Sequence, residues 1–400
     1  MKSVFLLLGL LLTATIGYAH EDILLNDGWG YRPISDPGQA VKDTPVTLPH
    51  TWNANYVTGT YYNRETMVYS RMLEVTSQMT GKRLFLYFEG VNSVADVFVN
   101  RQSVGQHKGG YTAFCLEITD YVKAGSNDLQ VWVNNAFRTD VLPISGDFNV
   151  YGGIHRPCHL IVTEQDCISP LFYASPGVLV HQVRVSEQQA EIAIETILSL
   201  KSGKKKLRLR TSVTDRQGRV VASGETAADG ERVRQPMTLQ KPTLWDGRQN
   251  PYLYTVKAEL LDGERVVDEQ TVQTGLRYFS VDKDKGFFLN GRHYELRGFN
   301  RHEDVEGKGS ALTREDYSRD MSLISETGAT MLRLAHYPHA EPIYQLCDEE
   351  GLVVWSEIPL CGPGGYRFTG YLHNEGLEDN ARQTALEMIY QKYNHPSVCF

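Results

Sequence analysis

Past its first twelve residues the sequence has no apolar run approaching the ~20 residues that span a bilayer. Its six cysteines, Cys115, Cys158, Cys167, Cys347, Cys361 and Cys399, form no C-x-x-C pair. That argues against a zinc ribbon or a dithiol redox centre. No G-x-G-x-x-G and no P-loop follows any strand-like segment, which weakens a nucleotide-binding reading. Basic excess is lacking too: 40 Lys and Arg stand against 48 Asp and Glu, a net charge of −8. A nucleic acid is therefore not expected as the main partner. The run 201–210 (KSGKKKLRLR) is locally basic and reads as a hairpin turn leading into an exposed strand.

What is present is enough chain for several cores. At 400 residues, two to four domains are expected. With 41% hydrophobic and 22% charged residues, the chain reads as globular rather than disordered. The N-terminus reads as a secretory signal peptide over 1–19. Met1-Lys2 is a short positive start, residues 4–12 are apolar, and Gly17-Tyr18-Ala19 puts small residues at the −3 and −1 positions before His20. No cysteine follows the apolar stretch, so no lipid or membrane anchor is expected, and export to the periplasm or medium is. An exported chain can oxidise its thiols, but spacing does not choose partners.

Three kinds of grammar follow. Residues 20–165 carry short alternating strands at 83–89, 95–100, 128–134 and 159–163, with a turn beginning at Asn100-Arg101, which predicts a β-sandwich. Residues 166–278 carry strands at 178–185, 190–198, 206–214, 219–224 and 253–261. Asp215-Arg-Gln-Gly218 and Asp262-Gly263 supply hairpin turns, the scale of an immunoglobulin-like sandwich. From 279 to 400 strands and helices alternate. Strands are predicted at 293–298, 330–335 and 352–358, helices at 314–327, 341–350 and 378–393, and Cys399-Phe400 would open another strand. Thr313 can cap the first helix, and Gly328 and Gly351 stop the first two. Repeated βα units imply a parallel sheet, open or closed into a barrel.

In such folds the reactive groups lie at the C-terminal strand ends. Here those ends read Arg297-Gly-Phe-Asn300-Arg301-His302-Glu303-Asp304, Met331-Leu-Arg333-Leu-Ala-His336-Tyr-Pro-His339 and Trp355-Ser356-Glu357. Any one of them fits a helix cap or loop; three at successive ends point to a site. Arg333 lies inside an apolar strand, and a buried guanidinium needs a carboxylate. Either it makes a structural ion pair with Glu357, or it orients a catalytic carboxylate.

These segments, RGFNRHED, MLRLAHYPH and GLVVWSEIP, with Leu48-Pro-His-Thr-Trp52 and 147–156 (DFNVYGGIHR), resemble family 2 of the glycoside hydrolases. The resemblance covers nearly all the chain after residue 19. It implies a jelly-roll, sugar-binding-like β-sandwich, an immunoglobulin-like β-sandwich and the N-terminal part of a (β/α)8 TIM barrel. It also implies a retaining hydrolase of β-linked sugars, read here as β-galactosidase type, with a β-glucuronidase or β-mannosidase as the close alternative. A non-catalytic carbohydrate-binding protein is the rival from another class. The partner is a carbohydrate, and self-association into a homo-oligomer is compatible with the sequence.

By the same resemblance Asp147 binds sugar hydroxyls from a sandwich loop. Asn300, His302 and His336 line the sugar subsite, with Arg333 and Glu357 in support. Metal-dependent β-galactosidases place magnesium ligands where this chain reads Ile358-Pro-Leu360-Cys361-Gly362, so neither metal nor cofactor is expected. The acid/base Glu of the family follows a fourth strand reached through a His-Pro-Ser sequence, here His395-Pro396-Ser397. Both catalytic Glu are thus expected beyond Phe400, in a longer form of which these residues are a truncated product or a piece. Asn374-Glu375 precedes the third helix and reads as loop.

Overall fold

The computed structural model describes residues 20–34, 42–54, 63–144, 146, 148–203, 206–361 and 374–400. The expected signal peptide, Asp147 and Gly362 lie outside the described residues.

Two antiparallel sheets form the first unit. Four strands run in the order His20–Leu24, Cys158–Thr163, Arg83–Phe88 and Phe114–Glu117. Six more run Thr44–Val46, Trp29–Pro33, Thr66–Val75, Gly125–Asn134, Val94–Val99 and Gln102–Lys108. Alternation makes the core: Leu129, Val131 and Val133 point inward with Val97, Val99, Leu84, Leu86 and Phe88. Asn100 and Arg101 both take positive φ, 50° and 66°, which closes the tight hairpin after Val99.

The second unit is also a sandwich of two four-stranded sheets. One holds Asp166–Ile168, Gln189–Leu200, Val178–Val185 and Arg232–Gln240; the other holds Val220–Ala227, Leu207–Thr214, Tyr254–Asp262 and Arg265–Thr274. The strand after the basic run is not exposed. Leu207–Thr214 is paired on both sides and alternates buried with half-buried residues, so Leu207, Leu209 and Val213 enter the core. Its cations lie on the other face, where Arg208 meets Glu225 and Glu264, and Arg210 meets Glu259.

A small sheet of Phe279–Asp282, Gly286–Leu289 and Arg292–His293 leads into three parallel strands, β1 (Gly298–Arg301), β2 (Met331–Leu334) and β3 (Val353–Ser356). The predicted strand at 293–298 is thus displaced, because His293 pairs back on Phe288 in the antiparallel sheet and the parallel run begins at Gly298. Helices α1 (Arg314–Glu326), α2 (Glu341–Glu350) and α3 (Glu375–Gln391) follow the strands. Thr313 and Asp316 form a capping box on α1, and Gly351, at φ 74°, ends α2. A Cβ on Gly351 would stand 2.2 Å from the Gly247 carbonyl oxygen, so only glycine fits that close approach. The third helix begins at Glu375, three residues before its predicted start, and the Asn374 side chain caps it by accepting from Leu377 N. Residues 399–400 form no strand, although Val398 bridges Val354 in parallel.

One face of the parallel sheet packs Leu332, Leu334 and Val354 under α1 and α2. The other carries Asn300, Arg333 and Trp355, which pair in register and so point the same way.

Candidate functional site

The inward face of the strand ends gathers four polar side chains into one network. Arg333 donates to Glu357 through Nε (2.6 Å) and Nη2 (3.2 Å), and through Nη1 to Asn300 Oδ1 (3.3 Å). His336 Nδ1 lies 3.2 Å from Glu357 Oε2 and 3.2 Å from Arg333 Nη2. Arg333 is not buried as its apolar strand suggested: its side chain is 32% exposed, because it stands on the open face of the sheet. The ion pair with Glu357 is present all the same.

His302 joins this network through its ring, whose centroid is 5.3 Å from that of His336. Phe148 of the first sandwich covers both imidazoles, at 5.6 Å from His302 and 5.8 Å from His336. The loop bearing Phe148, next to Asp147, therefore reaches over the strand ends. Asn300, His302, Arg333, His336 and Glu357 come from three strands and share one place.

Other residues of the same segments turn away. Arg301 is buried with Asp320 of α1 at 2.7 Å, and donates to His339 Nδ1 at 3.1 Å. His339 Nε2 donates to the Ala335 carbonyl at 3.1 Å, and burial pushes its pKa down to about 3, so it is a neutral packing residue. Glu303 is fully enclosed against Arg156 at 2.6 Å and also accepts from Tyr317 OH and Ala340 N. Burial would raise its pKa, but the Arg156 and Arg301 guanidiniums and the Tyr317 hydroxyl bond overcome that and hold it at about 2. A carboxyl so held is no proton donor at neutral pH. Asp304 accepts from Tyr151 OH at 3.2 Å, a second tie to the first sandwich.

A cleft of about 570 Å³ opens elsewhere, at the junction of the two sandwiches with α2 and the end of α3. None of the five converging residues lines it. Its charges satisfy one another: His159 sits between Asp22 and Glu89, and His395 between Glu341 and Asp348. The first set lies within the first sandwich and the second within the βα domain, so each is an internal tie of its own unit. Among the described residues no group of three or more His, Cys, Asp or Glu is placed to hold a metal ion.

Sequence reasoning missed the polar seam that fixes the first sandwich on α3. Glu387 accepts from Thr112 and meets His107 Nε2 at 3.0 Å, both buried, and Asn380 bonds the Leu142 amide and the Lys108 carbonyl. No periodic apolar signal marks such a face, since Asn380, Thr384 and Glu387 are polar.

Comparison with known proteins agrees with this architecture. Residues 36–164 match the sugar binding domain of glycosyl hydrolases family 2, residues 178–277 a second domain of that family, and residues 280–400 its TIM barrel domain. A β-glucuronidase of Bacteroides fragilis is 43% identical over the whole chain, which covers 58% of that protein. A β-galactosidase of Thermoanaerobacter pseudethanolicus is 31% identical over 88% of the chain, which covers 46% of it. A solved structure from Bacteroides fragilis, described as a putative β-galactosidase, superposes with a TM-score of 0.89 at 36% identity, covering 95% of this chain and 58% of that one. The chain thus spans about half the length of the relatives it matches. Three consecutive domain matches, in the order in which the two sandwiches and the parallel βα units are built, place this chain in family 2 of the glycosyl hydrolases.

Proposed function

We propose that the chain forms the sugar-binding side of a retaining β-glycosidase of β-glucuronidase type. The observation that carries the reading is the convergence of Asn300, His302, Arg333, His336 and Glu357 at the strand ends beneath Phe148. Imidazoles and amides at one mouth offer both donors and acceptors, which hydroxyl-rich ligands need. Between the sugars the comparisons favour the glucuronide, because the β-glucuronidase shares 43% of residues and the β-galactosidase 31%.

Retaining hydrolysis needs two carboxylates ~5–5.5 Å apart, one as acid/base and one as nucleophile. Glu303 is committed to Arg156, and Glu357 to Arg333 and His336. In this reading the chain binds and orients the sugar, and a longer form supplies both reacting carboxylates, which accords with relatives that extend well past the matched length. Asp147, next to Phe148, adds hydroxyl acceptors from the sandwich side. The test is turnover of aryl β-glucuronide and aryl β-galactoside by the 400-residue chain and by a form continued downstream. The proposal predicts activity only in the longer form, with the higher kcat/KM for the glucuronide. Turnover by the short chain, or a preference for the galactoside, contradicts it.

A further inference from the structure

Both mouth histidines lean on one buried ring. Tyr337 directly follows His336 in sequence, and its ring centroid lies 5.9 Å from that of His302 and 5.3 Å from that of Phe148. Phe148 in turn meets His302 at 5.6 Å and His336 at 5.8 Å, and the two imidazoles stand 5.3 Å apart. The Tyr337 hydroxyl accepts the Glu303 backbone N–H at 3.1 Å, which ties the ring to the residue after His302. Tyr337, Phe148, His302 and His336 thus form a closed set of contacts, in which a tilt of Tyr337 shifts the other three.

What keeps Tyr337 from tilting comes from another domain. Its ring, 5% exposed, stacks on Tyr111 of the first sandwich, 4% exposed, with 4.1 Å between centroids and 16° between planes. In so close and nearly parallel a pair, the plane of one ring fixes the plane of the other. The segment 109–113 that carries Tyr111 is itself held from two sides. Within the sandwich, Arg156 donates to the Tyr111 carbonyl at 2.7 Å and His155 to the Gly110 carbonyl at 2.8 Å. From α3, Glu387 accepts from the Thr112 hydroxyl, and the Gln391 amide bonds both the N–H and the carbonyl of Ala113. Tyr111 is therefore a fixed wall, and Tyr337 is the movable ring set against it.

We propose that Tyr111 is a positioning residue for the sugar subsite: through Tyr337 it sets the plane and depth at which His302, His336 and Phe148 meet a sugar. It acts across a domain boundary, since Tyr111 belongs to the first sandwich and the imidazoles to the βα units. The positioning stands on the ring contacts, and what it serves rests on the sugar subsite proposed above. A ring that only filled core space would change stability and leave the imidazoles where they are.

The experiment compares Tyr111→Phe, which keeps the plane, with Tyr111→Met, a flexible apolar side chain that fills the space without one. Each is made in the 400-residue chain labelled with ¹³C at histidine, and the two ring signals are assigned through His302→Asn and His336→Asn. Tyr111→Met is expected to move both signals, with that of the exposed His293 unmoved as a reference for the fold. It is also expected to weaken binding of a thio-linked β-glucuronide by ~2- to 30-fold, the range for a residue that acts through others. Tyr111→Phe is expected to leave signals and affinity at their starting values. Signals that stay in place in folded Tyr111→Met overturn the proposal, as do equal effects of the two variants or moved signals with unchanged affinity. If Tyr111→Met does not fold, Tyr337→Phe keeps the stack and releases only the Glu303 amide; it is expected to move the His302 signal, and an unmoved one overturns the tie. Moved signals in a chain that binds no glucuronide leave the positioning standing and remove the sugar subsite.

Discussion

Arg156 and Glu303 stand 147 positions apart in sequence, yet their side chains meet at 2.6 Å with 4% and 1% exposure. The same guanidinium donates to the Tyr111 carbonyl of its own sandwich and to the Pro338 carbonyl behind β2. One buried pair thereby fixes the first sandwich to the segments that carry both mouth histidines.

Breaking that pair leaves a buried charge unmatched, which costs about 3–5 kcal/mol. Arg156→Met is expected to lower the unfolding free energy by that amount in denaturant titration, while Arg156→Met with Glu303→Leu costs less. Equal loss in the single and double variants would show that the ion pair is not the tie. The pH course follows from the carboxyl. Its folded pKa is depressed to about 2 from an ordinary 4.5, so its stabilisation is full above 4.5 and is lost as pH falls toward 2. Glu303→Gln is expected to flatten the acid limb of stability against pH.

On the alkaline side one contributing group is His395, which links the end of α3 to Glu341 at 3.0 Å and Asp348 at 2.6 Å on α2. Burial opposes its charge, but Glu341 and Asp348 prevail and raise its pKa from 6.5 to about 10. A raised pKa gives stability that is full below 6.5 and is lost as pH climbs toward 10. Urea midpoints measured across that range are expected to decline, and His395→Gln is expected to start lower and decline less. A parallel decline in the variant would assign the effect to other groups.

Arg333 separates binding from folding. Its pair with Glu357 is partly solvated, so Arg333→Met is expected to cost at most ~1 kcal/mol of stability. Yet the loss frees Glu357 and Asn300 from their positions, and affinity for a β-glucuronide is expected to fall by ~10-fold. Unchanged affinity would make Arg333 a structural residue only. Asp147→Ala in a longer, active form is expected to lower kcat/KM by at least ~10-fold, since a charge-assisted bond is worth ~1.5–3 kcal/mol. A change confined to thermal stability would mark Asp147 as a turn residue.

Elements whose signals are local were legible in the sequence. The cap at Thr313 and the stop at Gly351 bound α1 and α2 because each acts within one turn of helix. Arg232–Gln240 was not legible, although every second residue is buried, because Gln235 and Pro236 interrupt its apolar pattern; Gln235 is buried and donates to the Leu209 carbonyl. The convergence of Asn300, His302, His336 and Glu357 could be read from strand-end positions. What separates them from Glu303 and His339 could not, since those two turn on Arg156 and Arg301, contacts made only by the folded chain.

Export is tested at the N-terminus. Expressed with residues 1–19 in a secreting host, the protein is expected to begin at His20, and N-terminal sequencing decides it. A retained Met1 would refute the signal-peptide reading.

The central claim is that this chain's own strand ends bind the sugar. The most direct measurement is calorimetric titration of the 400-residue chain with a thio-linked β-glucuronide, beside the double variant His302→Ala with His336→Ala. Two lost hydrogen bonds of ~1 kcal/mol each predict saturable binding that weakens by about 10-fold or more in the variant while the fold is retained. No binding by the chain, or equal affinity in chain and variant, would contradict the account.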